Sequence, residues 1–259
     1  MRQLSLIALI LLSTFTPCSI TAQTTTNQTP VNIPVQSVPL NPINTQHMIE
    51  FFSKLKTPDF PAWLYSTTRS APDLQSSDKH FARATWLAQL HIVQDQETCD
   101  QLHQQAVPVL KLFHRLHTIR FFIYLDDYPN IQTIAGSYLG VSTGLIRLLK
   151  RDSRDNSQLN ALVAHELART IHQDRFVEAW KHEDFQTVKA FELFYDAVAT
   201  CALNHLQLQS EQYGLILYRM TRNTTSRDTD HSRHPTLEQR QSLIRTIGLP
   251  QRSSLIALN

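Results

Sequence analysis

One segment constrains the fold of this chain more than any other, because an apolar run passes directly into two ionisable side chains. Residues 159–164 are almost entirely apolar, and His165 and Glu166 follow without a break. The pattern predicts a buried helix from about Ser157 to Gln173. A buried carboxylate is costly unless it is paired or bound to a cation. The segment therefore predicts a helix that carries a polar site into the protein core.

The spacing after His165 is typical of metal chemistry with one position changed. In the zinc-peptidase pattern H-E-x-x-H, two imidazoles on one helix face bind one zinc ion, and the glutamate acts on the metal-bound water. The last position of the pattern is Arg169 here. Arginine has no acceptor nitrogen and keeps its charge, so it cannot ligate zinc. His172 does not replace it, because seven helical residues rise about 10 Å while a zinc ligand lies about 2 Å from its ion.

A second helix, predicted from about Phe185 to Leu206, carries two more carboxylates. Glu192 and Asp196 are separated by one helical turn and share a face. In a zinc site, Glu192 could supply a ligand oxygen, and Asp196 could hold a ligand imidazole through its other nitrogen. The alternative is a pair of solvated carboxylates on an amphipathic helix, and their apolar neighbours weaken that alternative.

The remaining pattern mixes a little strand with much helix. Residues 120–125 have the composition of a strand, and a turn signal follows them. Residues 137–142 predict a second short strand, in which Gly140 indicates close approach by another chain or a ligand, or else a bulge. Further helices are predicted over residues 97–117, from residue 145, over residues 211–221 and from Pro235.

The first residues predict export. Arg2 precedes the apolar run of residues 4–12, and a small and polar stretch ends at Ala22, which is the order of a secretory signal cleaved after Ala22. Lipid attachment at Cys18 is the alternative, but the residues before it lack the small side chains of a lipoprotein signal. Residues 23–45 are rich in Thr, Gln and Pro and predict a disordered arm. We expect an exported protein, periplasmic or secreted, without a transmembrane helix in the mature chain.

Composition adds two limits. The full chain has a hydrophobic content of 42% and a net charge of +2, which are typical of an ordinary globular protein and give no sign of nucleic-acid binding. We expect one domain over residues 46–259. In an oxidising compartment Cys99 and Cys201 either pair or remain two buried thiols, and the sequence leaves both possibilities open.

The order of these features resembles a known family. Pro129-Asn130, the segment from Gly136 to Ile146, His165-Glu166-Leu167-Ala168, the Glu192/Asp196 pair and His234-Pro235 follow one another as in the HtpX-like and BepA-like zinc endopeptidases, which are gluzincins. The resemblance covers roughly residues 95–246. It implies an α+β fold that is mostly helical, with a small sheet that edges the active-site cleft.

The resemblance also implies roles for single residues. His165 and Glu192 correspond to zinc ligands, Glu166 to the general base and Asp196 to the residue that holds a ligand. His234 corresponds to a histidine in a segment that approaches the site. The implied substrate is an extended polypeptide that pairs with an edge strand. That strand would be formed by Gly136, Ser137, Tyr138, Leu139, Gly140 and Val141.

Arg169 leaves two solutions open. In the first, it turns aside, and His165, Glu192 and His234 hold a catalytic zinc ion with Glu166 as base. In the second, it replaces zinc as the local cation and pairs with Glu192 or Glu166, which leaves a metal-free protein that binds strands without cleaving them. We favour the second solution, because arginine is bulky and always charged.

Overall fold

A computed structural model describes residues 44–55, 57–68, 81, 89–134, 136–151, 156–223 and 234–248. The predicted signal peptide, Cys18 and nearly all of the predicted arm lie outside these residues. The described part of the chain is mostly helical with a small mixed sheet, which confirms the α+β prediction. Its helices are α1 (Thr45–Lys54), α2 (Phe60–Thr67), α3 (Gln96–Leu112), α4 (Thr143–Lys150), α5 (Ser157–Arg169), α6 (Gln173–Lys181), α7 (Phe185–His205), α8 (Glu211–Asn223) and α9 (Leu237–Gly248). Its strands are β1 (Ile92–Val93), β2 (Arg120–Tyr124), β3 (Ile131–Ile134) and β4 (Tyr138–Ser142).

The strands pair in the order β1-β2-β4-β3. Strands β2 and β4 run parallel, with Arg120 opposite Tyr138, and β3 and β4 form an antiparallel hairpin. The short β1 pairs with the outer side of β2. Within the described strands, β3 is therefore the edge strand at one side of the sheet and β1 at the other.

The prediction that residues 136–141 form an edge strand of the sheet is wrong. Strand β4 lies inside the sheet, so both of its edges are used by ladder hydrogen bonds and offer no free row of donors and acceptors. The sequence reading missed β3, which is only a short strand between Pro129 and the glycine turn. None of the six predicted residues lies on an edge strand: Gly136 and Ser137 lie in the turn, and Tyr138, Leu139, Gly140 and Val141 lie in β4.

The glycine in β4 has a packing role. A Cβ atom at Gly140 would overlap the ring of Phe122, which lies opposite it on β2. Close approach was one of the two predicted reasons for a glycine here. The close neighbour is a side chain of this protein. Glycine is needed at this position because it has no Cβ atom and leaves room for the Phe122 ring.

Helix α5 forms the centre of the fold. Every residue from Ser157 to Ala168 is buried, and α5 packs against α3, α7, α8 and β3. The helix ends at Arg169, four residues before the predicted end, because the chain turns there and α6 begins at Gln173. His172 consequently lies off α5, in ring contact with Phe191 and Phe194.

Helix α7 is buried along most of its length and lies directly beside α5. Its N-cap is Asp184, whose side chain accepts a hydrogen bond of 3.1 Å from the Thr187 amide. This packing places the two predicted carboxylates of α7 next to His165. Among the described helices, none has the length and apolar character needed to cross a bilayer.

The two described cysteines do not form a disulfide. Cys99 and Cys201 are both buried free thiols. Burial raises the pKa of Cys99 to about 11 and that of Cys201 to about 12. Of the two possibilities left open by the sequence, the structure has the buried thiols.

Candidate functional site

His165 is the centre of a buried polar cluster between α5, α7 and α8. Its Nδ1 atom lies 2.9 Å from Oδ1 of Asp196 and 2.8 Å from the hydroxyl of Tyr213. Its Nε2 atom lies 3.3 Å from Oε2 of Glu192. The imidazole therefore touches both carboxylates that the spacing on α7 placed on one face.

Asp196 is fully buried and accepts hydrogen bonds from three other elements. Arg240 on α9 donates two of them, from Nε to Oδ2 at 2.7 Å and from Nη2 to Oδ1 at 2.6 Å. The Tyr213 hydroxyl donates to Oδ1 at 2.5 Å. Burial acts to raise the pKa of Asp196, but Arg240 and His165 outweigh it and hold that pKa well below its ordinary value.

Glu166 is tied to the edge strand rather than to the His165 ring. Its Oε2 atom accepts hydrogen bonds from the backbone amide of Thr133 at 2.7 Å and from the Thr133 hydroxyl at 3.0 Å. Its Oε1 atom accepts one from Nη1 of Arg169 at 3.2 Å. Both oxygens of this buried carboxylate are thus held by donors of the protein itself.

Arg169 lies at the border of the cluster, with one-third (33%) of its side chain exposed. It pairs with Glu166, one of the two carboxylates predicted as its partner, and its Cζ atom lies 4.9 Å from the centre of the Phe176 ring. Glu166 raises the pKa of Arg169, burial opposes this, and Glu192 adds to the rise. The guanidinium is the local cation beside both glutamates.

The other ionisable groups of the cluster shift each other's pKa values. Burial acts to lower the pKa of His165, but hydrogen bonds to Asp196 and Glu192 raise it to about 9. Burial acts to raise the pKa of Glu192, but His165 and then Arg169 lower it to about 2. Three carboxylates therefore face three cations. The members of this charged cluster are Glu166, Glu192, Asp196, His165, Arg169 and Arg240.

Two of the candidate zinc ligands fit one ion, and the third does not. Nε2 of His165 and Oε2 of Glu192 are 3.3 Å apart, which is compatible with two ligands each about 2 Å from one ion. Arg169 cannot be the third. The His234 ring packs on Trp180 at 5.9 Å, and in the described residues no three His, Cys, Asp or Glu side chains are grouped to hold a metal. The described residues therefore do not make a three-ligand zinc site.

Sequence reasoning missed three residues that bind the carboxylates of the cluster. Thr133, Tyr213 and Arg240 belong to β3, α8 and α9, and each reaches the cluster from a distant part of the chain. The only local signal was the position of Arg240 shortly after His234-Pro235, a motif already quoted for the family resemblance.

One buried hydroxyl beside the cluster has no hydrogen-bond partner among the described residues. The Tyr195 ring meets the His165 ring edge-on at 5.7 Å and lies 6.0 Å from Phe176, but its hydroxyl is unpaired. Burial raises the pKa of this phenol well above its ordinary value. An unpaired buried hydroxyl loses its hydrogen bonds to water without replacement.

No model of a known protein family matches this chain, and a search of curated proteins finds no relative. The likeness to zinc endopeptidases therefore depends on the residues and contacts described above.

Proposed function

We propose that this protein is an exported, non-hydrolytic relative of the gluzincin-type zinc endopeptidases that binds extended polypeptide. The observation that carries the proposal is the ion pair between Arg169 and Glu166. It puts a permanent cation beside the two glutamates that a zinc peptidase would use as base and ligand. The order of residues at the N-terminus, from Arg2 to Ala22, supports export.

The contacts of Glu166 argue against hydrolysis. A general base takes a proton from the attacking water through a hydrogen bond to one of its oxygens, and donors already bound there compete with that water. Both oxygens of Glu166 already accept hydrogen bonds, two from Thr133 and one from Arg169. A carboxylate held in this way serves to fix β3 against α5.

The charge balance of the cluster argues against a resident divalent ion. Three carboxylates already face three cations, two of them arginines that cannot lose a proton. A zinc ion would add charge that no described side chain offsets. An ion pair satisfies the buried carboxylates without a metal.

Strand β3 is the surface that we propose for polypeptide binding. The Ser142 amide donates to the Asn130 carbonyl at 2.9 Å, so the alternation of an antiparallel pair turns the backbone groups of Ile131 and Thr133 away from β4. The Thr133 amide is used by Glu166. An extended chain would pair with the other outward groups of β3.

An active zinc endopeptidase is the second candidate, and one observation favours it. His165 presents Nε2 to Glu192 while Asp196 and Tyr213 hold Nδ1, which is the arrangement of a metal-binding histidine. This candidate also requires Arg169 to leave Glu166 and His234 to leave Trp180.

Metal analysis separates the two candidates. The full chain is purified without chelator, and bound zinc is measured in the wild type and in Arg169→His, which completes the H-E-x-x-H pattern. We expect no stoichiometric zinc in the wild type and about one ion per chain in the variant. Arg175→His is the matched control, because Arg175 also lies over an aromatic ring (Phe191, 5.6 Å) but outside the pattern. It should bind no zinc.

Casein provides the functional readout. The wild type should bind carboxymethylated casein, an unfolded polypeptide, without cleaving it. Chelator-sensitive cleavage by the wild type that is lost in Glu166→Ala would establish the second candidate and refute the first.

A further inference from the structure

A strip of apolar and aromatic side chains begins at Arg169 and follows α6. We call it the aromatic strip and define it as Phe176, Val177, Trp180 and His234. Phe176 and Trp180 stack at 6.3 Å with an interplanar angle of 24°, and Trp180 contacts the His234 ring at 5.9 Å. Arg169 lies over the other side of the strip, on Phe176.

The strip is open to solvent at its middle. Val177 is 41% exposed and Trp180 is 39% exposed, and they are neighbours on the helix surface because they are three residues apart. Single exposed apolar residues are normal on a protein surface, and two adjacent ones beside a polar site are a candidate contact surface. The strip combines a flat indole face with a charged end.

Arg169 has donors to spare at that end. In the described residues its guanidinium makes one hydrogen bond, from Nη1 to Glu166, and one-third of the side chain is exposed. The planar guanidinium carries five N–H donors in a fixed fork, so the remaining donors can hold an acceptor of a bound molecule.

The charge of the cluster selects the kind of acceptor. Glu166 is ion-paired with Arg169 at 3.2 Å, and Glu192 lies 3.3 Å from the His165 ring in the same cluster, so two carboxylates already lie at this end of the strip. A second anion would meet those two glutamates. A backbone carbonyl oxygen accepts the same hydrogen bond without adding charge.

We propose that the aromatic strip and Arg169 form the subsite that selects the side chain of a bound polypeptide. A large apolar side chain, aromatic by preference, packs on Trp180 and Val177, and a neighbouring backbone carbonyl accepts a hydrogen bond from Arg169. This inference rests on the proposed function, because it assigns the part of an extended polypeptide that the strip receives.

Peptide binding to the full chain tests the subsite. The probes are fluorescein-labelled nonapeptides, acetylated and amidated at their ends, that differ only in a central Phe, Leu, Ala or Glu. Fluorescence anisotropy should show the Phe peptide binding about tenfold more tightly than the Ala peptide. In Trp180→Ala the Phe and Ala peptides should bind within about twofold of each other.

Tyr218 provides the matched control. It is 41% exposed on α8, and Arg222 lies over its ring at 5.7 Å, so it repeats an arginine on an exposed aromatic ring away from the cluster. Tyr218→Ala should keep the wild-type preference for Phe. Trp180→Phe keeps a ring in the strip and should keep most of the preference for the Phe peptide. This variant shows whether a loss of preference in Trp180→Ala comes from the missing ring or from altered folding.

The outcomes separate the subsite from the proposed function. If casein and all peptides bind equally well to the wild type and to Trp180→Ala, the subsite is wrong and polypeptide binding stands. If neither casein nor any peptide binds, the proposed function fails and the subsite with it. If free-acid peptides bind tenfold more tightly than amidated ones, Arg169 holds a terminal carboxylate and the carbonyl assignment is wrong.

Discussion

The charged cluster has an inner and an outer region that differ in how completely their groups are paired. In the inner region, Asp196 and His165 are buried. Both carboxylate oxygens of Asp196 and both ring nitrogens of His165 have partners on neighbouring helices. In the outer region, Arg169 is one-third exposed, uses one donor among the described residues, and lies over the partly exposed ring of Phe176. The inner region has the fully paired groups of a structural element, and the outer region is the part that we propose for contact with a bound polypeptide.

This difference predicts where substitutions act. Removing one member of a buried charge pair leaves the other unpaired in a medium that solvates it poorly, so stability falls. Changing a partly exposed contact leaves the fold intact and alters what binds there. The three predictions that follow test this division on the inner side, from the largest expected effect to the smallest.

Asp196→Ala should have the largest effect. It removes the carboxylate that pairs with the guanidinium of Arg240 and with the buried imidazole of His165, and we expect a loss of about 3–5 kcal/mol in the free energy of unfolding. Urea denaturation followed by circular dichroism measures it. Asp127→Ala is the control, because its ion pair with Arg147 is exposed, with 85% of the Asp127 side chain accessible, and should cost less than about 1 kcal/mol. Equal losses in the two variants would contradict the structural role of the inner region.

The pH dependence of stability should show two limbs. The pKa of His165 is raised to about 9, so its contribution is complete below the ordinary value near 6.5 and is lost as the pH rises through 9. The pKa of Glu192 is lowered to about 2, so its contribution is complete above 4.5 and is lost as the pH falls through 2. We expect each limb to be on the order of 1 to 3 kcal/mol.

Urea midpoints between pH 3 and pH 10 test the alkaline limb, with about one measurement per pH unit. His182→Gln is the control, because His182 and Glu178 form an exposed pair at 2.7 Å on α6 and its removal should leave the limb unchanged. A wild-type stability that stays flat from pH 6 to pH 10 would show that His165 is not held between two carboxylates.

Two buried tyrosines give the smallest and most selective prediction. The Tyr213 hydroxyl contacts Asp196 and His165, so Tyr213→Phe should lower the free energy of unfolding by about 1–3 kcal/mol. The Tyr195 hydroxyl is buried and has no partner in the described part of the chain, so Tyr195→Phe should leave stability unchanged or raise it by up to about 1 kcal/mol. Thermal unfolding of both variants checks the contrast, and a loss in Tyr195→Phe as large as that in Tyr213→Phe would mean that this hydroxyl is bonded.

The sequence predicted the elements with strong periodicity and the contacts within one pair of helices. The buried run before His165 predicted α5, and the spacing on α7 predicted that Asp196 would reach the imidazole. Arg169 was predicted to pair with Glu166 or Glu192 because an arginine beside buried carboxylates has few other solutions. These inferences depend on local spacing and on charge.

The rest depends on long-range packing that local patterns do not encode. The predicted helix ran on to Gln173 because no glycine or proline marks the turn after Arg169, and the separate helix α6 that begins at Gln173 was missed. Strand β3 is too short to show the alternation of a strand in the sequence, so it was not predicted. Without β3, strand β4 was taken for an edge strand, whereas it lies between β2 and β3. Thr133, Tyr213 and Arg240 were missed because each reaches the cluster through tertiary packing.

Crystals of the full chain grown with zinc, with anomalous diffraction measured at the zinc absorption edge, test the central claim most directly. We predict no anomalous peak between Nε2 of His165 and Oε2 of Glu192, with the guanidinium of Arg169 still on Glu166. A zinc peak at that position, with Arg169 turned away from Glu166, would contradict the claim that arginine has replaced the metal.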